Sequence, residues 1–382
     1  MFNLFSSKST PLQSAKIQTR NFSKTILLES KAGLLFVSII INKKSYRLLL
    51  DTAAFTLFSP QLLEELQCKN TQETVHTLDA FGAQREMKVY SLNSLEIGGL
   101  EFNDFHLICD DFSQKFPLSC LEFDGILGYN LFQNLIIELN YEKKELTLSD
   151  KLPSTQDFST SKLLYINNSI PAFTLQIENK TFELGIDTGK NDGLMLGDKK
   201  FLNYCVQKKL QRQRTIGIFS SSFSGVNQHS FIDTYLLKNI KIINKIDISS
   251  FPISYEENAQ NIAGNSFLKY FHIIIDFTKR RVYFKNIEIE IKEEFLKSFG
   301  FLTFWNEEKR LYISAIIEGS PAYNSKLKIG DKILSINHLD TLSFSQKDYC
   351  EFSLLAQKSL FENANSVKLT IKRDTKLIQV VL

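Results

Sequence analysis

Two acids in this chain close apolar runs in the same way. Residues 47–59 read RLLLDTAAFTLFS and end their run at Asp51; residues 182–194 read FELGIDTGKNDGL and end theirs at Asp187. A strand that stops in D-T-G or D-T-A turns tightly and presents its carboxylate, and N–H groups of the turn can fix that carboxylate's rotamer. Two such carboxylates within hydrogen-bonding range cannot both ionise easily. The pair then holds one proton, and its two apparent pKa values split. The ionised member can activate a water while the protonated member polarises a carbonyl. That is general acid–base hydrolysis, with no metal or cofactor called for and no covalent intermediate.

The elements that must position these acids are visible as an internal repeat. INKKSYRLLLDTA (41–53) aligns with IENKTFELGIDTG (177–189). Each reads as two apolar strands joined by a short polar turn, the second strand ending at the acid. The offset, 187 − 51 = 136, recurs downstream: DGILGYNLF (124–132) falls on QNIAGNSFL (260–268), and NLIIELNYEKKELTL (134–148) on YFHIIIDFTKRRVYF (270–284), without a gap. An ungapped register over about a hundred residues marks two homologous lobes, expected at 17–150 and 160–288, with the polar stretch KLPSTQDFSTS (151–161) between them. Both lobes read as mainly β, with short helices at Pro60–Cys68 and Lys199–Gln213. From residue 291 the pattern changes, and 291–382 reads as a third domain with a helical stretch near 345–360 and a closing strand pair.

Composition narrows the class. Hydrophobic residues make up 43% and charged residues 23%, which suits a globular chain with a sizeable core. A net charge of +3 is too small to argue for nucleic acid or an anionic membrane surface. No apolar run approaches the roughly 20 residues of a membrane helix, and the N-terminus MFNLFSSKST lacks the apolar core of a signal peptide. The compartment read from this is the cytoplasm, or the periplasm if the chain has lost a leader. The five cysteines (Cys68, Cys109, Cys120, Cys205, Cys350) show no metal spacing and read as free thiols, with a bond such as Cys109–Cys120 left open.

With the two acid turns and the repeat in hand, the first two domains resemble the lobes of an aspartic peptidase of the pepsin/retropepsin fold. The segments Ile126-Leu127-Gly128 and Ile262-Ala263-Gly264 are similar to that family's second signature, each 77 residues after its acid (128 − 51 and 264 − 187). The resemblance implies a bilobal, pepsin-like double β-barrel. It implies Asp51 and Asp187 as the catalytic pair, and Thr52, Ala53, Thr188 and Gly189 as the turns that support them. The substrate would be a peptide or protein lying in the interlobe cleft. A flap is expected within LDAFGAQREMKVY (78–90), with Phe81 and Gly82 at its tip, although the pepsin-like flap tyrosine is not evident there. In the second lobe, TIGIFSSSFSGVNQ (215–228) is a second flap or a flexible loop.

The third domain resembles a PDZ domain through GSPAYNSKLKIGDKILSINHLD (319–340). The resemblance implies a ligand loop at Phe299-Gly300-Phe301, followed by a strand that pairs with a C-terminal or internal peptide. The loop departs from the usual G-L-G-F. Two peptidase lobes followed by a PDZ domain look like a bacterial aspartyl-protease architecture, and the resemblance covers about nine tenths of the chain. A second reading is a catalytically degenerate peptidase fold that acts as a peptide-binding scaffold.

Ala53 stands where the family pattern has Gly, which puts a Cβ into a tight turn. Ala54 and Lys190 stand where pepsins usually carry a hydroxyl that would lower the acid's pKa, so the expected pH optimum is less acidic than that of a digestive pepsin. GIDTGK is not a phosphate loop: three residues separate its glycines, and Asn191 occupies the metal-binding hydroxyl position. No HExxH or GxSxG occurs among the remaining motifs, and His272, within an apolar strand, reads as a packed core residue.

Overall fold

The hairpin that delivers Asp51 shows how the sequence makes these elements. Leu34–Ile41 and Lys44–Asp51 are apolar, β-branched runs joined at Asn42 and Lys43, both at positive φ (50° and 67°). That turn geometry matches the twist of the flanking strands. The strand Lys44–Asp51 is half exposed where it starts and fully buried where it ends, with Leu48, Leu50 and Asp51 all at 3% exposure or less. In the second copy, Ile170–Ile177 pairs with Lys180–Ile186 in the same way.

A computed structural model of the chain describes residues 3–4, 13–78, 84–112, 118–217, 221–222, 225–226, 230–287, 299–306, 308–325, 327–352 and 364–382. Strands account for 53% of the structure and helices for 12%, so the mainly β class read from the sequence holds. Two helices are shorter than the sequence implies, Pro60–Glu65 and Lys199–Gln207; near the C-terminus the described part of the expected helix is Gln346–Glu351, and 353–360 lie outside the described residues. Residues 212 and 213, expected at the end of the second helix, instead open the strand Arg212–Gly217.

Three large sheets organise the fold. A nine-stranded sheet in the first lobe contains Lys44–Asp51 beside the signature strand Gly125–Gly128. A six-stranded sheet joins the lobes, with Ile136–Asn140 antiparallel to Phe271–Asp276 at its centre. In that ladder Glu138 pairs with Ile274, its own counterpart at the offset of 136, so the local two-fold passes through this pair. The third sheet runs from the second lobe into the C-terminal module without a break. One apolar core draws on both lobes, including Leu50, Leu139, Ile186 and Ile275. The C-terminal module packs a separate core around Phe301, Trp305, Ile333, Tyr349 and Ile371.

The junction within the third sheet is made by strand pairing. Arg212–Gly217 lies antiparallel to Leu311–Ile317, with Ile216 opposite Ile316, and Glu318 N–H donates to Arg214 O at 2.8 Å. On its other edge Leu311–Ile317 pairs with Phe301–Trp305. The sequence gives no sign that the C-terminal module would share a ladder with the second lobe. A disulfide also joins Cys120 to Cys350, where the sequence reading had free thiols or a Cys109–Cys120 bond; Cys68, Cys109 and Cys205 remain thiols. Among the described residues no helix is long and apolar enough to cross a membrane.

Candidate active site

Both acid turns are held from behind by the same ladder. Gly128 lies opposite Asp51 in a parallel pair, and Ile186 lies opposite Ala263 in the corresponding pair of the second lobe. One residue on, Tyr129 N–H donates to Ala54 O at 2.9 Å, and Asn265 N–H donates to Lys190 O at 2.7 Å, the same bond displaced by 136. The signature glycines permit this approach. A Cβ on Gly128 would lie 2.3 Å from the backbone of Phe55, and one on Gly264 would lie 2.5 Å from Asp192 O. The two signatures therefore set the depth of the acid turns.

The turns interlock across the local two-fold. Thr52 Oγ1 donates to Ile186 O at 2.7 Å and accepts Thr188 N–H at 3.2 Å; Thr188 Oγ1 donates to Leu50 O at 2.8 Å and accepts Thr52 N–H at 3.0 Å. Each threonine thus clamps the strand that carries the opposite acid, and both are fully buried.

This arrangement brings Asp51 and Asp187 close enough for the charge on one to be felt at the other. Their exposures are 3% and 0%. Asp51 Oδ1 accepts the N–H groups of Ala53 (2.9 Å) and Ala54 (3.0 Å), while Asp187 Oδ1 accepts that of Gly189 (3.0 Å). Asp187 Oδ2 is buried without a hydrogen-bond partner. Burial raises the pKa of Asp51, opposed by its turn N–H groups. Burial, and then the neighbouring Asp51 charge, hold Asp187 well above the ordinary carboxylate range. Lys190 pulls the other way; it is half-buried, 3.4 Å from Asp192, and near enough to Asp187 to be felt.

Ala53 and Gly189, equivalent by sequence, meet different surroundings. Ala53 is fully buried with Ile170 and Ile262 of the second lobe. A Cβ at Gly189 would lie 2.1 Å from Asp51 Oδ2. The first turn therefore accommodates a methyl group that the second cannot.

Asn265 is a site residue the sequence reading missed. Its Nδ2 donates to Thr188 O at 2.7 Å, and its Oδ1 accepts the Tyr141 hydroxyl at 2.7 Å, so it braces the Asp187 turn. Its counterpart by offset is Tyr129, so the repeat gave no polar signal at this position. His272 is half-buried and its Nε2 lies 2.6 Å from Glu138, rather than being packed wholly among apolar groups. Phe81 and Gly82, the expected flap tip, lie outside the described residues.

In the C-terminal module, Gly300 adopts φ +82° with its carbonyl accepting Ile317 N–H at 2.8 Å, and Phe299 O accepts Ala322 N–H at 2.9 Å. Phe301 begins the strand Phe301–Trp305, whose one strand partner among the described residues is Leu311–Ile317. Trp305 packs on Tyr349 with ring centroids 4.5 Å apart, which sets the helix Gln346–Glu351 beside that strand. Asp331, from the G-D of the sequence pattern, is buried and takes a two-pronged bond from Arg373 at 2.7 Å.

Residues 37–131 match the family model of aspartyl proteases, and residues 286–372 match that of PDZ domains. The first match spans the Asp51 turn and its glycine signature. The second lobe is tied to it by the ungapped offset and the shared strand register. No curated protein matches the chain.

Proposed function

We propose that this chain, which couples an aspartyl-protease fold to a PDZ module, is an aspartic endopeptidase with Asp51 and Asp187 as its catalytic pair. The observation that carries this reading is the reciprocal threonine clamp, which holds two buried carboxyls close enough for their charges to interact. A structural ion or a core hydrogen bond would not need two acids facing each other with one oxygen left unpartnered.

The pair's inequivalence suggests the roles. Two N–H donors favour the charged form of Asp51, while Asp187, with one donor and the neighbouring charge against it, keeps the shared proton. Asp51 then takes a proton from the attacking water. Asp187 donates its proton to the peptide carbonyl oxygen as the tetrahedral diol forms; as the C–N bond breaks, the proton on Asp51 passes to the leaving amine and one diol hydroxyl returns a proton to Asp187. Hydrolysis thus balances without a covalent intermediate. The PDZ module would supply a peptide-binding strand edge at Phe301–Trp305, with Phe299, Gly300 and Phe301 as its ligand loop.

The test is hydrolysis of dye-labelled unfolded casein by the full chain and by Asp187→Asn. The variant should lose activity by roughly a thousandfold or more, the scale of general acid–base catalysis. A statine-type inhibitor, which mimics the tetrahedral intermediate, should bind the native chain and not the variant. Normal cleavage by the variant would reject the assignment. A native chain that neither cleaves casein nor binds the inhibitor would support the scaffold reading.

A further inference from the structure

The disulfide Cys120–Cys350 spans 230 residues and joins the first lobe to the helix beside the peptide-binding strand. Cys120 lies in the helical turn Leu118–Leu121 and is 3% exposed, whereas Cys350 is half-buried. What each end touches gives the bond its significance.

From Cys120 the chain reaches the signature strand Gly125–Gly128 in five residues (125 − 120), and that strand pairs with the Asp51 strand. Arg47, on the Asp51 strand itself, donates through Nη1 to Leu121 O (2.6 Å) and Glu122 O (2.8 Å), and its N–H donates to Asp124 Oδ2 (2.8 Å). The cysteine turn is thus pinned to the strand that presents the first acid. The strand beside the Cys350 helix, Phe301–Trp305, connects differently. It pairs with Leu311–Ile317, which pairs with Arg212–Gly217, and the same sheet continues to Lys180–Ile186, which delivers Asp187. The helix Gln346–Glu351 is therefore tied to one acid's lobe by a covalent bond, and the strand Phe301–Trp305 to the other's by a hydrogen-bonded ladder. Only the first tie is a bond that a reductant can open.

We propose that Cys120–Cys350 is a redox-operated latch that locks the PDZ module across both lobes, and that a dithiol reductant of the thioredoxin class opens it. A thiolate of the reductant attacks Sγ of Cys350, the less covered residue. The Cys120–Cys350 bond breaks and its electron pair leaves on Cys120 Sγ, which takes up a proton. The reductant's second thiol then displaces Cys350 from the mixed disulfide, leaving Cys350 as a thiol and the reductant as its own disulfide. The other cysteines do not compete: burial pushes the Cys68 and Cys109 thiols up to about 11 and that of Cys205 to about 12, so none offers a thiolate near neutral pH. Closure of the latch requires an oxidising compartment, which argues against the cytoplasm as the place where the locked form works. The latch does not depend on Asp51 and Asp187 being catalytic.

The experiment uses the full chain purified without reductant. Peptide mapping under non-reducing conditions should recover a Cys120–Cys350 cross-link. Hydrogen exchange should then be compared before and after dithiothreitol, and in Cys350→Ser. Opening the bond should speed exchange in 118–124 and 345–352 by about tenfold or more, while 212–217 and 311–317 stay protected. Cys350→Ser should show the open pattern from the start and not respond to dithiothreitol. Three results would overturn the proposal: no cross-link after oxidation, a cross-link whose reduction leaves exchange unchanged, or loss of protection throughout the chain, which would make the bond a fold staple rather than a latch.

Discussion

Exchanging the third residue of each acid turn gives a sharp test of the site. A Cβ at Gly189 would stand 2.1 Å from Asp51 Oδ2, 2.2 Å from Cγ and 2.8 Å from Oδ1. The φ of Gly189 lies outside the left-handed range, so space alone forbids the side chain. Ordinary contact begins near 3.4 Å, so the Asp51 carboxylate must retreat by about 1.3 Å (3.4 − 2.1) or the Asp187 turn must move. The first shift breaks the bonds of 2.9 and 3.0 Å from Ala53 and Ala54 that fix the Asp51 carboxylate, and the second carries Asp187 out of place. A displacement of roughly 1 Å in a reacting group costs about a hundredfold in rate, or about 2.7 kcal/mol. Gly189→Ala should therefore lower kcat/KM on labelled casein by at least that factor. Ala53→Gly removes a methyl group packed against Ile170 and Ile262. The lost burial is about 0.8 kcal/mol and the added chain freedom roughly 0.5–1 kcal/mol, so stability should fall by about 1–2 kcal/mol. Its kcat/KM should stay within about threefold of the native value, because that methyl group faces the Ile170 cluster. Initial rates together with denaturant midpoints separate the two effects. A Gly189→Ala chain with native rates, or an Ala53→Gly chain with rates raised tenfold or more, would refute the geometry argued for the two turns.

Three further outcomes follow from the same geometry. Burial raises the pKa of both acids above the ordinary carboxylate value of 3.8, so both limbs of the kcat/KM–pH profile should lie above it, with a less acidic optimum than a hydroxyl-supported pair would give; an optimum below 3.8 would contradict this. The same shifts bear on stability. A raised folded-state pKa stabilises the fold below 3.8 and loses that contribution as pH rises through the folded value. Asp187→Asn should consequently melt at a higher temperature than the native chain near neutral pH, with the gap narrowing below 3.8; thermal melts at two pH values check this, and a variant less stable near neutral pH would count against it. Gly217 adopts φ +123°, and a Cβ there would lie 2.2 Å from Ser314 O. Gly217→Ala should cost about 1–3 kcal/mol locally and accelerate amide exchange in both 212–217 and 311–317, the junction of the C-terminal module with the second lobe.

The parts of this molecule that were legible in its sequence are those written twice. A strand ladder fixes register residue by residue, so an ungapped offset of 136 carries Asp51 onto Asp187, Thr52 onto Thr188 and Gly128 onto Gly264 together. The mainly β class and the PDZ pattern were legible for a related reason, since apolar alternation and the G-D turn are local signals. What was illegible is single-copy or long-range. Asn265 braces the Asp187 turn, yet its first-lobe counterpart is Tyr129. Cys120 and Cys350 are 230 residues apart, and nothing in their spacing selects one partner among five cysteines. The pairing of Arg212–Gly217 with Leu311–Ile317 uses backbone groups on two strand edges, which any sequence offers.

The same duplication explains how the two acids could come to differ. In a site built from two identical chains, any change to one turn is imposed on the other. Fusion of the copies removes that constraint. Ala53 can occupy one turn because Ile170 and Ile262 receive it, while Gly189 must stay where Asp51 leaves no room. Next to them, Ala54 N–H bonds Asp51, whereas among the described hydrogen bonds no N–H of Lys190 reaches Asp187; the lysine acts there through its charge. Each difference bears on the charge the two carboxyls can hold. Two donors stabilise an anion at Asp51, and burial with an unpartnered oxygen disfavours one at Asp187. If the pair is catalytic as proposed, the departures from the repeat at Ala53, Ala54 and Lys190 would bias a shared proton toward Asp187, a preference that identical turns could not express.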